Sequence, residues 1–435
     1  MRNATFAPAD LTTFTGLNHL GLKVTSQRIS DGLIELVCEV SEPDQYCHEC
    51  GCWARVHDIV VRTLAHAPMG FIPVRLHVQV RRYACTGCGR VYRQDTTAAA
   101  ARGHKLSRGG LAWGLHALIC HQSSVARIAA DLGVSWGTAN AALLIQGLTQ
   151  LVNDATRFDG VEVIGIDEHV WRHTKTGEKY VTVIIDLTPV RNGTGPARLL
   201  DMIQGRSKAV FKSWLAGRDE AFRAGVQLVA MDGFAGFKTA AAEELPAAVA
   251  VMDPFHVVQL AGDGLDECRR RVQQEMTGRR GRKEDSLYKC RRLLHTGEDL
   301  LTEKQRTRLA ALFAHQAHTA VEITWCVYQR MVLAYRNPDP AKGRTLMQEL
   351  IASIQQGVPA GLDEVRRLGR TLAKRAADVL AYFDHPRTSN GPTEALNGRL
   401  EHLRGIALGF RNFSHYALRA LLHAGGFRSH THSHL

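Results

Sequence analysis

No apolar stretch in this chain approaches the roughly 20 residues that a bilayer-spanning helix needs. The first ten residues also lack the charged-then-apolar layout of a secretory signal. These two absences argue against an embedded or exported protein, so a cytoplasmic setting is expected. Acidic charge is scarce as well: 42 Asp and Glu face 54 Lys and Arg, giving a formal net charge of +12 and a pI near 9.4. Such an excess disfavours cationic partners and favours a polyanion, through long-range fields and counterion release. Core material is not lacking. At 435 residues, 45% hydrophobic and 22% charged, the chain has the composition of a globular protein of two or three domains.

In a cytoplasmic chain, ten cysteines are not expected to form disulfides. Four of them fall into two matched knuckles, Cys47-His-Glu-Cys50-Gly and Cys85-Thr-Gly-Cys88-Gly, where each glycine permits the tight turn that aims backbone amides at sulfur. Four thiolates make a closed tetrahedral set suited to structural Zn2+. A redox role would call for one pair, not two. Cys52 and His48 adjoin the first knuckle as substitute ligands, but the matched spacing favours Cys47 and Cys50. The alternation of Val74–Val80 puts strands between the knuckles, so residues 1–100 read as a zinc-ribbon-like module with an enlarged loop. Cys38, Cys52, Cys120, Cys268, Cys290 and Cys326 have no pairing pattern and read as small buried apolar residues. Arg75, Arg81, Arg82, Arg90 and Arg93 flank the second knuckle, as phosphate grips or as a solvated basic face.

Residues 101–155 carry helical periodicity. In Ser124–Leu143, Ala129 permits a close helix crossing, Gly133 supplies a turn and Ser135 caps the next helix. That is helix-turn-helix grammar, with Ser135, Trp136, Thr138 and Asn140 placed to meet DNA; an ordinary helical hairpin is the plain alternative.

From 156 the pattern turns to short apolar runs: Val161–Asp167, Tyr180–Asp186 and Arg198–Ile203, then a helix, Val226–Asp232, a second helix and Ala248–Met252. This element order predicts an α/β ribonuclease H-like core with a mixed five-stranded sheet over 156–255. In that fold the first and fourth strands are neighbours, so Asp167 and Asp232, which close their runs, would end together. Residues 256–388 are charged, leucine-periodic and without strand signal, and read as a helical basic insertion. It delays the core's closing helix, with Glu394, to 389–435. Two strand-end carboxylates and one on a helix can share a pair of divalent metals, the arrangement that serves phosphodiester chemistry. Each acid has a plain rival role in a turn or at a helix start. Asp253 is the most serious substitute. Glu168 points to the other strand face, and Asp186 belongs to the opposite sheet edge.

Within the insertion, the run from Arg269 to Arg292 carries Arg279, Arg280, Arg282, Lys283 and Lys289, opposed locally only by Glu275, Glu284 and Asp285. It would track a DNA backbone or form a solvated face. Arg404 and Arg411 are further phosphate candidates. His256 would order a phosphate or satisfy a buried hydrogen bond, and the tail His430-Thr-His-Ser-His434 is expected to be disordered.

The chain resembles insertion-sequence DDE transposases of the ISL3 family over nearly its whole length. The resemblance rests on the two knuckles, the segment 124–143, Ile164-Gly-Ile-Asp-Glu-His169, Val229-Ala-Met-Asp-Gly-Phe234 and Val251-Met-Asp-Pro-Phe-His-Val-Val258. Ser389-Asn-Gly-Pro-Thr-Glu-Ala-Leu-Asn-Gly-Arg399 and Gly409-Phe-Arg-Asn-Phe413 complete it. It implies that Asp167, Asp232 and Glu394 are the DDE triad, with Mg2+ or Mn2+ as cofactor, Asp167 bridging two ions and the others holding one each. It further implies binding to the element's terminal inverted repeats. Cleavage there would free a 3′-hydroxyl that attacks target DNA, and pairing two ends requires at least a dimer on DNA. Gly233 departs from the bulkier residue that often follows the second Asp. A DNA-binding regulator without chemistry and a zinc-bearing, structure-selective nuclease are the alternatives.

Overall fold

Alternating apolar and polar residues build the first of two sheets. Its strands are β1 (Leu22–Ser30), β2 (Leu33–Val40), β3 (Ala54–Met69), β4 (Ile72–Cys85) and β5 (Val91–Arg93), in the order β1-β2-β4-β3 with β5 on β4. On β4, Val74, Leu76, Val78 and Val80 are buried while the residues between them are more exposed. The structure, a computed structural model, describes residues 8–172 and 178–432. Two units divide it: Met1–Arg157 with Leu400–Leu435, and Phe158–Arg399.

In the first unit, the long β3–β4 hairpin pairs Ala54 with Cys85 and so carries the second knuckle back beside the first. Helices follow at Arg108–Ile119, Val125–Asp131 and Trp136–Gly147, each started by a serine cap: Ser107, Ser124 and Ser135. The last two are bent by 111° across a turn in which Gly133 takes φ +62°. Leu422 and Phe427 pack into the same cluster as Leu115, Ile128 and Leu143. Residues 400–435 therefore belong with this unit, whereas the sequence pattern assigned all of 389–435 to the core; apolar packing of the last helices decides the difference. Residues 428–432 are helical, not disordered, while His434 lies outside the described residues.

The second unit holds β6 (Val163–Val170), β7 (Tyr180–Asp186), β8 (Arg198–Gln204), β9 (Leu228–Met231) and β10 (Val249–Met252), in the order β10-β9-β6-β7-β8. β7 is antiparallel to β6 and β8, while β9 is parallel to both β6 and β10. The first and fourth strands of this sheet are thus neighbours, and the mixed pattern fits a ribonuclease H-like core. β9 is buried along its whole length, as a central parallel strand must be. Beyond β10 the described residues to 388 form helices and no strand. They have their own core of Leu265, Met331, Met347, Leu350 and neighbours. No single helix among the described residues is long and apolar enough to cross a membrane.

Candidate functional site

Strand register puts the two aspartates abreast. Ile166 pairs with Met231 across the parallel β6–β9 ladder, so Asp167 and Asp232 are the next residue on each chain, on strands about 4.8 Å apart. Asp167 is not at its strand's end, as the sequence had suggested: β6 runs on to Val170, held there by β7 alone. The Glu168 amide donates to Asp167 Oδ1 at 2.8 Å. Asp232 Oδ1 accepts from the Phe234 amide at 2.9 Å, turning the chain into the helix Ala235–Glu244.

Glu394 arrives on the helix Gly391–Ile406, and three contacts, two to β6 and one to Asp253 just after β10, fix that helix start. The Asn390 side-chain amide donates to the Ile166 carbonyl at 3.0 Å, and its backbone amide donates to Asp253 Oδ1 at 2.7 Å. Thr393 Oγ1 donates to Asn390 Oδ1. The third contact is close approach. A Cβ added at Gly165 would lie 2.9 Å from Ile185 Cγ1, and 3.0 Å from both Leu187 Cδ1 and Thr393 Oγ1. Only glycine lets the helix sit this near the strand. Gly165→Val is therefore expected to displace Thr393 and Glu394, costing about 1–3 kcal/mol in folding and most of the activity. Thermal melting and a strand-cleavage assay check it; wild-type cleavage in this variant would contradict the placement of Glu394.

Asn397, one turn beyond Glu394, donates from Nδ2 to Asp167 Oδ2 at 2.9 Å. Arg375, from the helical region, donates from Nη1 to the Gly233 carbonyl at 3.0 Å and pairs with Asp378, which also takes Lys238 at 2.8 Å. The turn that carries Asp232 is held from behind in this way. Sequence reasoning missed Asn390, Asn397 and Arg375. The two asparagines sat inside a quoted motif, and their spacing from Glu394 was the available signal.

Burial raises the Asp167 carboxyl from 3.8 to about 6, and the charges of Asp232 and Glu394 push the same way, against the Glu168 amide and His256. Asp232 and Glu394 thus both act electrostatically on Asp167. The oxygens of the three acids do not all come within 4.8 Å, a spacing that among the described residues only the cysteine set meets.

Because the folded pKa lies above the unfolded one, the folded state holds the proton more tightly. The associated stability is present at low pH and is lost as pH rises from about 4 through about 6. Ionised Asp167 then costs about 3 kcal/mol at neutral pH. Asp167→Asn should melt higher than wild type in chelator at pH 7.5, with the gap closing toward pH 4.5 as the wild-type acid protonates. An equal gap at both pH values would contradict this.

The rival acids have other work. Asp253 is buried, caps the helix Pro254–Thr277 through the His256 amide at 3.3 Å, and receives Asn390. Asp186 pairs with Arg198 at 2.9 Å, and its strand partner Ile164 places it at the edge away from Asp167. Glu168 pairs with Arg206 at 3.2 Å. His256 lies close enough to Asp167 to oppose its pKa rise. At Gly233 a Cβ would meet Met252 Cε at 3.3 Å, so a bulkier residue there needs only a small shift.

The four knuckle sulfurs, Cys47, Cys50, Cys85 and Cys88, all lie within 4.8 Å of one another, with Cys50–Cys85 at 3.3 Å and Cys47–Cys88 at 3.8 Å. Zinc–sulfur bonds of about 2.3 Å in a tetrahedron imply sulfur separations of about 3.8 Å, so the set fits that ion. Gly51 and Gly89 take φ +70° and +71°, and the amides of Gly87 and Cys88 point at Cys85 Sγ. The Cys88 backbone amide is the largest influence bringing the Cys85 thiol down to about 6. Cys50 is pushed up to about 12: the Cys52 amide favours its thiolate, but the bonds it shares with Cys85 and Cys88 outweigh that. The sulfurs thus share protons that a divalent cation replaces. His48 is paired with Asp44 at 2.7 Å, and Cys52 falls outside the quartet. Cys52 and Cys326 are exposed and Cys120 half-buried, so only Cys38, Cys268 and Cys290 match the buried apolar expectation.

Much of the basic charge is neutralised by acids, most of them distant in sequence. Arg81, Arg82 and Arg90 pair with Glu39, Asp58 and Glu49, Arg271 with Glu364, Arg279 with Asp285, and Arg404 with Glu401. Arg280, Arg282, Lys283 and Arg411 have no ion pair among the described residues. Arg282 and Lys283 line an open cleft of about 480 Å³ with Lys289, Arg291 and Arg308, and no carboxylate lines it. Ser135 accepts the Thr138 amide at 3.2 Å and the two hydroxyls bond each other, so both hold the helix start. Trp136 is 56% exposed and Asn140 half-buried.

Comparison with known proteins completes the picture. The chain is 25% identical over 407 residues to the transposase of insertion sequence element IS1557 from two strains of Mycobacterium tuberculosis, covering 88% of this chain and 86% of that one. Among solved structures it is similar to the Drosophila P element transposase strand transfer complex, with a TM-score of 0.42 and 8% identity over 74% of this chain and 93% of that one. A family model of the ISL3 DDE type, described as transposase, matches residues 164–420. The chain belongs to the ISL3 family of DDE transposases.

Proposed function

We propose that this transposase binds the terminal inverted repeats of its insertion sequence and cuts and joins DNA at Asp167, Asp232 and Glu394. The observation that carries this reading is the β6–β9 register that sets Asp167 beside Asp232, with the charges of Asp232 and Glu394 both raising the Asp167 carboxyl. Asp232 and Glu394 both act on Asp167, so the three carboxylates together would hold the divalent ions. Mg2+ or Mn2+ held there supplies charge neutralisation for an in-line displacement. The chain's own contribution is rigidity: Asn390, Asp253 and Gly165 hold Glu394 against β6, and Arg375 holds the Asp232 turn. Water attack at an element end frees a 3′-hydroxyl, and that hydroxyl attacks target DNA. Incubating labelled element ends with Mg2+ tests the reading: nicks and joined products are expected. End binding without cleavage would favour a regulator, and cleavage without joining a nuclease.

The helices Val125–Asp131 and Trp136–Gly147 form the helix-turn-helix of this reading, supported by the 111° bend within the range of that motif. Trp136 and Asn140 are the side chains offered to DNA, with Ser135 and Thr138 setting the helix start. The cysteine quartet holds Zn2+. The cation-lined cleft of the second unit, with Arg280, receives backbone phosphates, because uncompensated positive charge in a concavity favours an anionic occupant; Arg411, on the first unit, is a separate phosphate contact. Replacing Lys283, Lys289 and Arg308 together by alanine should weaken binding to any DNA. The slope of log affinity against log salt should shrink by about 0.9 for each phosphate no longer neutralised. An unchanged slope in a salt titration would remove the cleft from the interface. Pairing two ends makes the working form at least a dimer on DNA.

A further inference from the structure

We infer that Asn397 is a further, neutral ligand of the ion held by Asp167, an assignment that rests on the metal-binding reading above. Both oxygens of Asp167 face N–H donors: the Glu168 amide at 2.8 Å and Asn397 Nδ2 at 2.9 Å. Such donors stand in for a cation beside an anionic carboxylate. The Glu168 amide is fixed by the backbone, but Asn397 is not limited to donating, because its side-chain amide presents a nitrogen at one end and an oxygen at the other.

That oxygen is the second observation. Asn397 Oδ1 is buried and has no hydrogen-bond partner. A buried acceptor is normally satisfied, and one left without a partner on the side chain that clamps Asp167 calls for an explanation. A half-turn of the amide exchanges its ends with almost no change of shape and brings Oδ1 to the position beside Asp167 Oδ2. An uncharged hard oxygen there is suited to Mg2+ or Mn2+. Helix geometry supports the placement: Asn397 follows Glu394 by three residues on Gly391–Ile406, so both project from one face. The helix thus brings an anionic and a neutral oxygen to the site together. Without the ion Asn397 clamps Asp167; with it, the same amide turns and coordinates.

A clamp and a ligand respond differently to substitution. Alanine removes both functions, whereas aspartate cannot donate to Asp167 but can coordinate. Mn2+ binding by the full-length protein without DNA, followed by electron paramagnetic resonance of the free ion, separates them. Asn397→Ala is expected to weaken binding at least about 10-fold, and Asn397→Asp to stay within a few-fold of wild type or to tighten. Thermal melting in chelator reports that each variant folds, and Asn397→Ser repeats the first arm if the alanine variant does not. If Asn397→Ala binds Mn2+ within about twofold of wild type while Asp167→Ala loses it, the inference fails alone. Aspartate as weak as alanine also overturns it, leaving a clamp. If Asp167→Ala itself binds Mn2+ like wild type, the carboxylate reading fails and Asn397 with it.

Discussion

Replacing Asp167 by alanine should abolish strand cleavage, by at least about 10⁴-fold, and leave binding to element ends within about twofold of wild type. The size follows from the site's geometry. Asp167 is the carboxylate that both Asp232 and Glu394 act upon, so its loss removes the shared ligand and not a peripheral one. A 10⁴-fold loss corresponds to about 5.5 kcal/mol of transition-state stabilisation. Binding is spared because the end-binding candidates lie on other elements: the helices 125–147 and the cleft at Arg282 and Lys283. Alanine also removes an ionised group that destabilises the metal-free fold, so the variant should be no less stable than wild type. Gel-shift and cleavage assays on one preparation check both halves. Residual cleavage above about one per cent would place the chemistry elsewhere.

The second large effect concerns zinc. Cys85→Ser should reduce bound zinc from one ion per chain to none, and chelation of the wild type should do the same. Structural zinc supplies about 10–16 kcal/mol in small domains at neutral pH. Here the loss should be local, since β3 and β4 have an independent core of Leu36, Leu64, Leu76 and Val78. Apart from the thiols the knuckle loops are joined by surface contacts: the Tyr46–Trp53 bridge, packed edge to face at 5.6 Å, the Thr86 hydroxyl donating to the Trp53 carbonyl at 2.7 Å, and the exposed Arg90–Glu49 pair. Proteolysis should then cut near 46–53 and 86–90 while the rest of the sheet survives. Elemental analysis with limited proteolysis reads both outcomes. An unchanged digestion pattern after zinc removal would mean that the thiols hold no structural metal.

Local patterning made much of this architecture legible. Apolar runs of the right length announced the five core strands, and their order implied that β6 and β9 are neighbours, as the ladder through Ile166 and Met231 has it. The knuckles were legible because glycine after Cys-x-x-Cys marks a left-handed turn, which Gly51 and Gly89 adopt. What stayed hidden was tertiary. Asp253 was read as a rival for the metal because sequence cannot reveal that its carboxylate is taken by an amide 137 residues away, at Asn390. The basic run from Arg269 looked opposed only by Glu275, Glu284 and Asp285 because Glu364, which neutralises Arg271, is 93 residues distant. The division of the last 47 residues at Arg399 was equally invisible, since only packing shows Leu422 and Phe427 in the helical cluster of the first unit.

Diffraction from crystals grown with Mn2+, using its anomalous signal, tests the central claim most directly. Ion density is expected against the Asp167 carboxylate, with Asp232 and Glu394 each reaching an ion. Density confined to other acids, or a Glu394 that contacts none, would contradict it.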